Sequence, residues 1–183
     1  MRDVFLALLT GLVADNLVCS RLIGITGSEF SLDTFRNSAL FGALVTAVGF
    51  GSVLICYPVY RYLLCPAGIE YFYILLCVPV TTAVAALLFR LLPSVSGRYN
   101  HIQKIALAAT SLGTVLLCLM QNNMLLALIS ALSYGIGLIL VLCIFFCARL
   151  SLKESRLPAA FKGSAIDLVI IAVIALVFYG FRG

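Results

Sequence analysis

The sequence predicts an all-α membrane protein with six transmembrane helices. Of its 183 residues, 63% are hydrophobic and 10% are charged, whereas soluble domains are about 45–50% apolar and about 25% charged. The apolar runs are continuous rather than alternating, which is not the pattern of a transmembrane β-barrel. A helical integral membrane protein is therefore the class that fits.

Six apolar segments are long enough to cross a bilayer. A helix needs about 20 apolar residues to span a hydrocarbon core of about 30 Å. The segments are 4–23, 38–60, 70–92, 102–120, 124–149 and 163–181. They use most of the chain, so residues 1–183 are expected to form one membrane domain, with no soluble domain to hold a nucleotide, flavin or haem.

The first segment is expected to stay in the protein as a span. A signal peptide needs a small-residue cleavage site after its apolar core, and Asp15 and Asn16 stand there instead. Val18, directly before Cys19, is too bulky for lipoprotein processing.

The distribution of basic residues predicts the topology. Of the 12 Lys and Arg residues, Arg2, Arg61 and Arg182 fall on the side of the termini. The others fall on the opposite side: Arg21, Arg36, Arg90, Arg98, Lys104, Arg149, Lys153, Arg156 and Lys162. Because cytoplasmic loops carry the excess of Lys and Arg, both termini are expected to be extracytoplasmic. The net charge of +5 then reflects topology and does not indicate nucleic-acid binding.

Cysteines and catalytic motifs give no enzyme active site. The seven cysteines are residues 19, 56, 65, 77, 118, 143 and 147. Most lie within spans, where free Cys behaves as a small apolar residue, and they show no disulfide framework. The sequence has no Gly-rich phosphate loop, His-Glu-x-x-His motif, Cys-x-x-Cys motif or nucleophile elbow. His101 is expected to be a surface residue, and an enzyme that acts alone is not predicted.

A weak internal repeat divides the chain into halves. "CPAGIEYFYILL" (65–76) precedes the third span and "LPAAFKGSAIDL" (157–168) precedes the sixth. Three spans per half would invert the second repeat (about 93–183) relative to the first (about 1–92), an arrangement typical of transporters. The fourth span would then match the first, and we expect its polar residues, Thr110 to Thr114, to interrupt it.

Four stretches together carry a family resemblance. They are "ADNLVCSRLIG" (14–24), "CPAGIEYFYILL", "YGIGLILVL" (134–142) and "LPAAFKGSAIDLVIIAVIALVFYGFRG" (157–183). They resemble the integral membrane subunits shared by the Rnf electron-transport complex and the sodium-translocating NADH:quinone reductase Nqr. The resemblance covers essentially the whole chain, and its motif positions include Gly24, Glu70, Lys162 and Gly163.

The resemblance implies a fold, a partner and a cofactor. It implies six spans in two inverted three-helix repeats, with spans one and four broken at mid-membrane, in a bacterial inner membrane. It implies pairing with an inverted homologous subunit, each of the two giving two cysteines to a shared 2Fe–2S cluster. It also implies further Rnf/Nqr-type subunits and a complex that couples electron transfer to Na⁺ or H⁺ translocation.

Both cluster-ligand positions depart from the family pattern. By the resemblance they correspond to Thr26 and Thr114, and a hydroxyl is a poor substitute for the thiolate that holds such iron. Cys19 is about 10 Å from position 26 along a helix, and Cys118 is one turn from position 114. Their use as substitute thiols would need a relocated cluster, so no cofactor is predicted for this chain.

Acidic and polar residues in the first span form a second candidate site. The resemblance places Asp15 where the family has the first of two tandem Asn residues, followed by Asn16 and Arg21. An ionisable residue at membrane depth marks a pathway or a buried pair. These residues are candidates for an ion or proton pathway; alternatively, Asp15 is protonated or paired with another span. Asp167, five residues after Lys162, is expected to snorkel to the interface.

Three functions are consistent with these features. The first is a membrane subunit of an Rnf/Nqr-type ion-translocating electron-transport complex, without iron–sulfur ligands of its own. The second is a divergent, non-redox homologue that transports a small molecule or ion on the same fold. The third is a purely structural subunit that stabilises a partner.

Overall fold

Five α-helices make up most of the described chain. The computed structural model describes residues 35–93, 97, 99–153 and 164–180. The helices are α1 (Phe35–Val59), α2 (Tyr73–Leu91), α3 (His101–Cys118), α4 (Met124–Lys153) and α5 (Ser164–Gly180). Within these ranges the structure contains no β-strand.

The prediction of an all-α membrane protein is confirmed. Among the described residues, four helical segments are long and apolar enough to cross a membrane: Phe35–Leu64, Tyr73–Leu91, His101–Cys118 and Met124–Ser151. A shorter apolar helix covers Ile166–Gly180. These correspond to the second to sixth predicted spans. The first span lies outside the described residues, so the count of six and the inverted repeat stay predictions.

A tight connection joins α1 to α2. One π-helical turn, Tyr60–Leu64, extends α1, and the backbone N–H of Cys65 donates to the carbonyl of Tyr60 at 3.0 Å. Gly68 has a φ of 68°, a left-handed conformation that glycine adopts without steric cost. A 3₁₀ turn, Glu70–Phe72, then leads into α2. The chain therefore reverses direction within a few residues.

Successive helices run in opposite directions. At one end of the bundle the ring of Phe35 on α1 lies 6.2 Å from that of Phe146 on α4. At the other end, Tyr60 and Tyr73 bring the end of α1 to the start of α2, with their rings 6.1 Å apart. The Tyr57 hydroxyl donates to the carbonyl of Gln121 beyond α3, at 3.1 Å. Helix α1 is thus parallel to α3 and antiparallel to α2 and α4.

Two apolar clusters fill the bundle between these ends. The first includes Phe41 and Phe145, with side chains from all five helices. The second lies toward the Tyr60 end and includes Val53, Val115 and Ala127. In lipid, helix association depends on close packing and internal hydrogen bonds rather than on removal of apolar surface from water. The clusters therefore stabilise the bundle through close packing between the side chains of neighbouring helices.

The helix directions also show at which end of the bundle the described basic residues lie. Arg36, Arg90, Lys104 and Arg149 belong to the end of the bundle where Phe35 meets Phe146, whereas Arg61 belongs to the opposite end. The Lys104 ammonium lies 5.4 Å from the centre of the Phe89 ring, which joins the ends of α2 and α3. This separation agrees with the charge pattern in the sequence; that the basic end faces the cytoplasm stays a prediction.

The expected interruption of the fourth span is wrong. Helix α3 is continuous from His101 to Cys118. Its polar residues bond within the helix: the hydroxyls of Thr110 and Ser111 donate to the carbonyls of Ala106 and Ala108 at 2.8 and 2.9 Å. Because these hydroxyls are satisfied by their own helix, they do not open it. The interruption expected in the first span lies outside the described residues.

Oxidative cross-linking tests the register of α1 and α2. The Cys56 and Cys77 side chains are fully buried and hydrogen-bonded to each other. A membrane-permeant oxidant such as iodine is therefore expected to join them in a disulfide. Trypsin cleaves after the exposed Arg61, so mass spectrometry without reductant would find the two tryptic peptides linked. Fragment ions would place the bond at Cys77 rather than at Cys65, which lies in the same peptide. Cys56→Ser is the control, and linkage of Cys56 to Cys143 would contradict the register.

Candidate functional site

Several residues of the predicted sites lie outside the described part of the chain. In the first span these are Asp15, Asn16, Cys19, Arg21, Gly24 and Thr26, and before α5 they are Lys162 and Gly163. For Glu70 the backbone is described, in the 3₁₀ turn before α2. The roles assigned to these residues stay predictions.

Thr114 lies at a close approach of α1 and α3. Its side chain is 1% exposed, and its hydroxyl donates to the carbonyl of Ser111 at 2.6 Å. Across the interface is Gly49, where an added Cβ would lie 2.7 Å from Thr114 Oγ1. Gly49 therefore allows the Thr114 side chain to pack directly on the backbone of α1.

The surroundings of Thr114 do not fit an iron ligand. Its hydroxyl donates a hydrogen bond to a carbonyl of its own helix, and its oxygen packs against Gly49. Iron–sulfur clusters are held by thiolates, which this side chain cannot supply. In the part of the chain that the structure describes, no group of three or more His, Cys, Asp or Glu side chains could hold a metal ion.

Cys118 belongs to a set of buried thiols. It is fully buried in the second apolar cluster, together with Cys56 and Cys77. Cys118 was named from the sequence as a substitute thiol, whereas the Cys56–Cys77 contact was missed. A signal existed, because these two residues lie at similar distances on either side of the turn at Pro66, and an antiparallel hairpin brings such positions together.

Two buried hydroxyls on α1 have no hydrogen-bond partner among the described residues. They are Ser38 Oγ and Ser52 Oγ, both on fully buried side chains. The two serines are fourteen positions apart, which places them on one face of the helix. Unlike the hydroxyls of α3, they are not satisfied by their own helix.

Asp167 forms a buried ion pair with Arg149, and the expectation that it snorkels to the interface is wrong. Its Oδ1 lies 3.2 Å from Arg149 Nε, and the two side chains are 4% and 27% exposed respectively. Oδ1 nevertheless accepts no hydrogen bond from the described residues, because the Nε–H is poorly aligned with it. The pair joins the end of α4 to the first turn of α5 by charge attraction rather than by an aligned hydrogen bond.

The family model for "Rnf-Nqr subunit, membrane protein" matches residues 4–183. The chain belongs to the Rnf-Nqr family of membrane subunits. Among curated relatives, the A subunit of the ion-translocating oxidoreductase complex of Alkalilimnicola ehrlichii is 29% identical, covering 100% of this chain and 98% of the relative. The protein of the same name from Hahella chejuensis is 26% identical with the same coverage. That from Pseudoalteromonas atlantica is 28% identical, covering 98% of this chain and 96% of the relative.

The match of this Rnf-Nqr protein to its family covers nearly the whole chain. It extends over the first span and the linkers as well as over the described helices. The relatives are of nearly the same length, so this chain corresponds to the whole of such a relative rather than to one domain of it. The chain is therefore described as a membrane protein of the Rnf-Nqr subunit family over its whole matched length.

Proposed function

We propose that this chain is the A-type subunit of an ion-translocating oxidoreductase complex. The observation that carries the proposal is the end-to-end match to relatives of that name, with 100% of this chain and 98% of the relative aligned. The packed helices at the predicted second to sixth spans support it. In this role the protein is not catalytic alone and contributes to the coupling of electron transfer to Na⁺ or H⁺ movement.

We further propose that this copy contributes no iron ligand. The engaged hydroxyl of Thr114, packed on Gly49, supports this view for one of the two ligand positions. Its partner would be an inverted homologous membrane subunit, as the family resemblance implies. With hydroxyls at both ligand positions, this chain would serve as scaffold and as part of the ion path, and its partners would carry the redox groups.

Isolation of the complex from its native membrane tests the assignment. An affinity tag on this chain is expected to retain the other Rnf-type subunits in detergent. Deletion of the chain is expected to abolish the redox-driven ion uptake of the complex into membrane vesicles, and re-expression to restore it. Isolation of the chain alone, with ion uptake unaffected by the deletion, would contradict the assignment.

Iron analysis tests the proposal that this chain has no cluster. Cys118→Ser and Cys19→Ser are expected to leave the iron content and the EPR spectrum of the purified complex unchanged, because neither thiol serves as a ligand. Complex assembly, followed by size-exclusion chromatography, is the control. A stoichiometric iron–sulfur signal lost in either variant would show that a relocated cluster exists.

A non-redox transporter on the same fold is the alternative, and the hydroxyl in place of a thiolate at position 114 favours it. Under this alternative the chain would move a small molecule or ion without redox partners. Ion uptake by the purified chain alone in liposomes, without a reductant, would support the transporter and exclude the complex.

A further inference from the structure

The Arg149–Asp167 pair lies at the basic end of the bundle, where α4 ends and α5 begins. Asp167 lies in the first turn of α5 and is 3% exposed. The next buried residues along α5, Ile170 and Ile171, pack into the first apolar cluster. The carboxylate thus lies at the boundary between the charged end of the bundle and its apolar interior. An ionisable group in this position is costly, and such groups commonly lie on ion or proton pathways.

The carboxylate can accept a further ligand. Oδ1 faces Arg149 Nε at 3.2 Å but accepts no hydrogen bond from it or from other described residues. A carboxylate oxygen has two lone pairs, and hard cations prefer oxygen ligands. The positive N-terminus of α5 helps to stabilise the carboxylate in its charged form. Oδ1 is therefore a buried atom with one cationic neighbour, and a proton or a small cation would bind it by displacing that neighbour.

Arg149 can leave the pair without burying its charge. Its side chain is 27% exposed near the end of α4, next to the exposed Leu150 and Ser151. A long Arg side chain at such a position can reach water or lipid headgroups. When a cation neutralises the carboxylate, the guanidinium can move outward. Neither state then leaves an unpaired charge in the apolar interior.

No other described charge competes for Asp167. Arg36 and Arg90 are exposed at the same end of the bundle, and the Lys104 ammonium lies over the Phe89 ring. On α4, the helix packed against α5, Arg149 is the described charged side chain that faces the carboxylate. Within the described part of the chain, Arg149 is therefore the basic residue that a cation would displace from Asp167.

We propose that Asp167 is the carboxylate at which the complex takes up its coupling cation, H⁺ or Na⁺, and that Arg149 is the counter-charge this cation displaces. The inference rests on the proposed function and identifies a residue of its ion path. A purely structural ion pair would hold α4 against α5 and would exchange with neither cation.

Carbodiimide labelling of the wild-type complex tests the exchange directly. N,N′-dicyclohexylcarbodiimide reacts with protonated carboxyl groups in apolar surroundings, and mass spectrometry locates the product. If the cation is Na⁺, labelling of Asp167 falls about tenfold at roughly ten times the half-protecting Na⁺ concentration. If it is H⁺, labelling rises with acidity and ignores Na⁺. Absence of label on Asp167 from acid to alkaline pH overturns the proposal. Asp167→Asn is the control for assignment of the peptide.

Transport by variant complexes provides a second test. Asp167→Asn is expected to abolish redox-driven ion uptake while electron transfer continues in vesicles made leaky by an ionophore, and Asp167→Glu to restore part of the uptake. If Asp167→Asn fails to assemble, the double variant Arg149→Gln/Asp167→Asn removes both charges. Wild-type uptake by either assembled Asn variant overturns the proposal. If the wild-type complex itself shows no redox-driven ion uptake, that result would instead contradict the proposed function.

Discussion

Gly135→Leu is expected to prevent the protein from accumulating in the membrane in a folded form. A Cβ at Gly135 would overlap the Thr46 side chain on α1. Thr46 cannot simply rotate away, because its hydroxyl donates to the carbonyl of Gly42 at 2.7 Å. The space that a leucine needs is therefore occupied by the Thr46 side chain of the neighbouring helix.

The expected size of the effect follows from the cost of overpacking. Extra methyl or methylene groups forced into a filled core cost about 1–3 kcal/mol, occasionally more. We expect Gly135→Ala to fall within that range and Gly135→Leu above it. Losses of this size reduce cellular abundance several-fold. Fluorescence-detected size-exclusion chromatography of a tagged chain, together with its melting temperature in detergent, would measure both effects.

Two further variants separate packing from helix propensity. Gly180→Ala and Gly180→Leu make the same substitutions at the end of α5, where an added Cβ meets no atom within 4 Å, and should leave abundance unchanged. Thr46→Gly combined with Gly135→Ala exchanges the small residue between α1 and α4, and should recover part of the loss. Equal losses at positions 135 and 180 would argue against a packed α1–α4 interface.

The sequence was informative about the helices because bilayer thickness constrains their length. The predicted segments 38–60 and 70–92 correspond to Phe35–Val59 and to Tyr73–Leu91 with its preceding 3₁₀ turn. An apolar run of the required length has few alternatives to a helix in lipid, since every backbone polar group must be satisfied internally. Hydropathy alone therefore located these elements to within a few residues.

The sequence was misleading where hydrogen bonding within a helix decides the outcome. The polar run from Thr110 to Thr114 resembles a break, yet its hydroxyls donate to carbonyls of α3. Ser and Thr hydroxyls can bond back onto carbonyls of their own helix, so a polar run does not by itself break the helix. Here Gly49 lets α1 approach α3 closely, and that contact cannot be derived from the residues of α3 alone.

Burial of Asp167 was missed for a related reason. Its position shortly after Lys162 suggested an interfacial side chain, because distance along a chain is the only depth measure that a sequence offers. In the structure, the first turn of α5 packs on α4, so the carboxylate is covered and meets Arg149. Burial at the end of a helix is set by the neighbouring element rather than by local sequence.

Removal of Arg149 is expected to destabilise the protein more than removal of Asp167. Arg149→Ala leaves a carboxylate that is 4% exposed without its counter-charge, and breaking a buried pair in this way costs about 3–5 kcal/mol. Asp167→Ala leaves a guanidinium that is 27% exposed and can turn outward to water or headgroups. Arg149→Ala should therefore lower the free energy of unfolding clearly more than Asp167→Ala does.

Unfolding free energies of these variants, measured in mixed detergent micelles with increasing SDS, would test this asymmetry. Arg149→Leu/Asp167→Leu should recover most of the loss seen in Arg149→Ala, since an apolar pair of similar volume often replaces a buried ion pair without penalty. Equal losses in the two alanine variants would mean that Arg149 is as tightly enclosed as Asp167. The guanidinium would then lack the outward route that cation exchange at Asp167 requires, so this comparison of variants tests the physical basis of the proposed ion path without measuring transport.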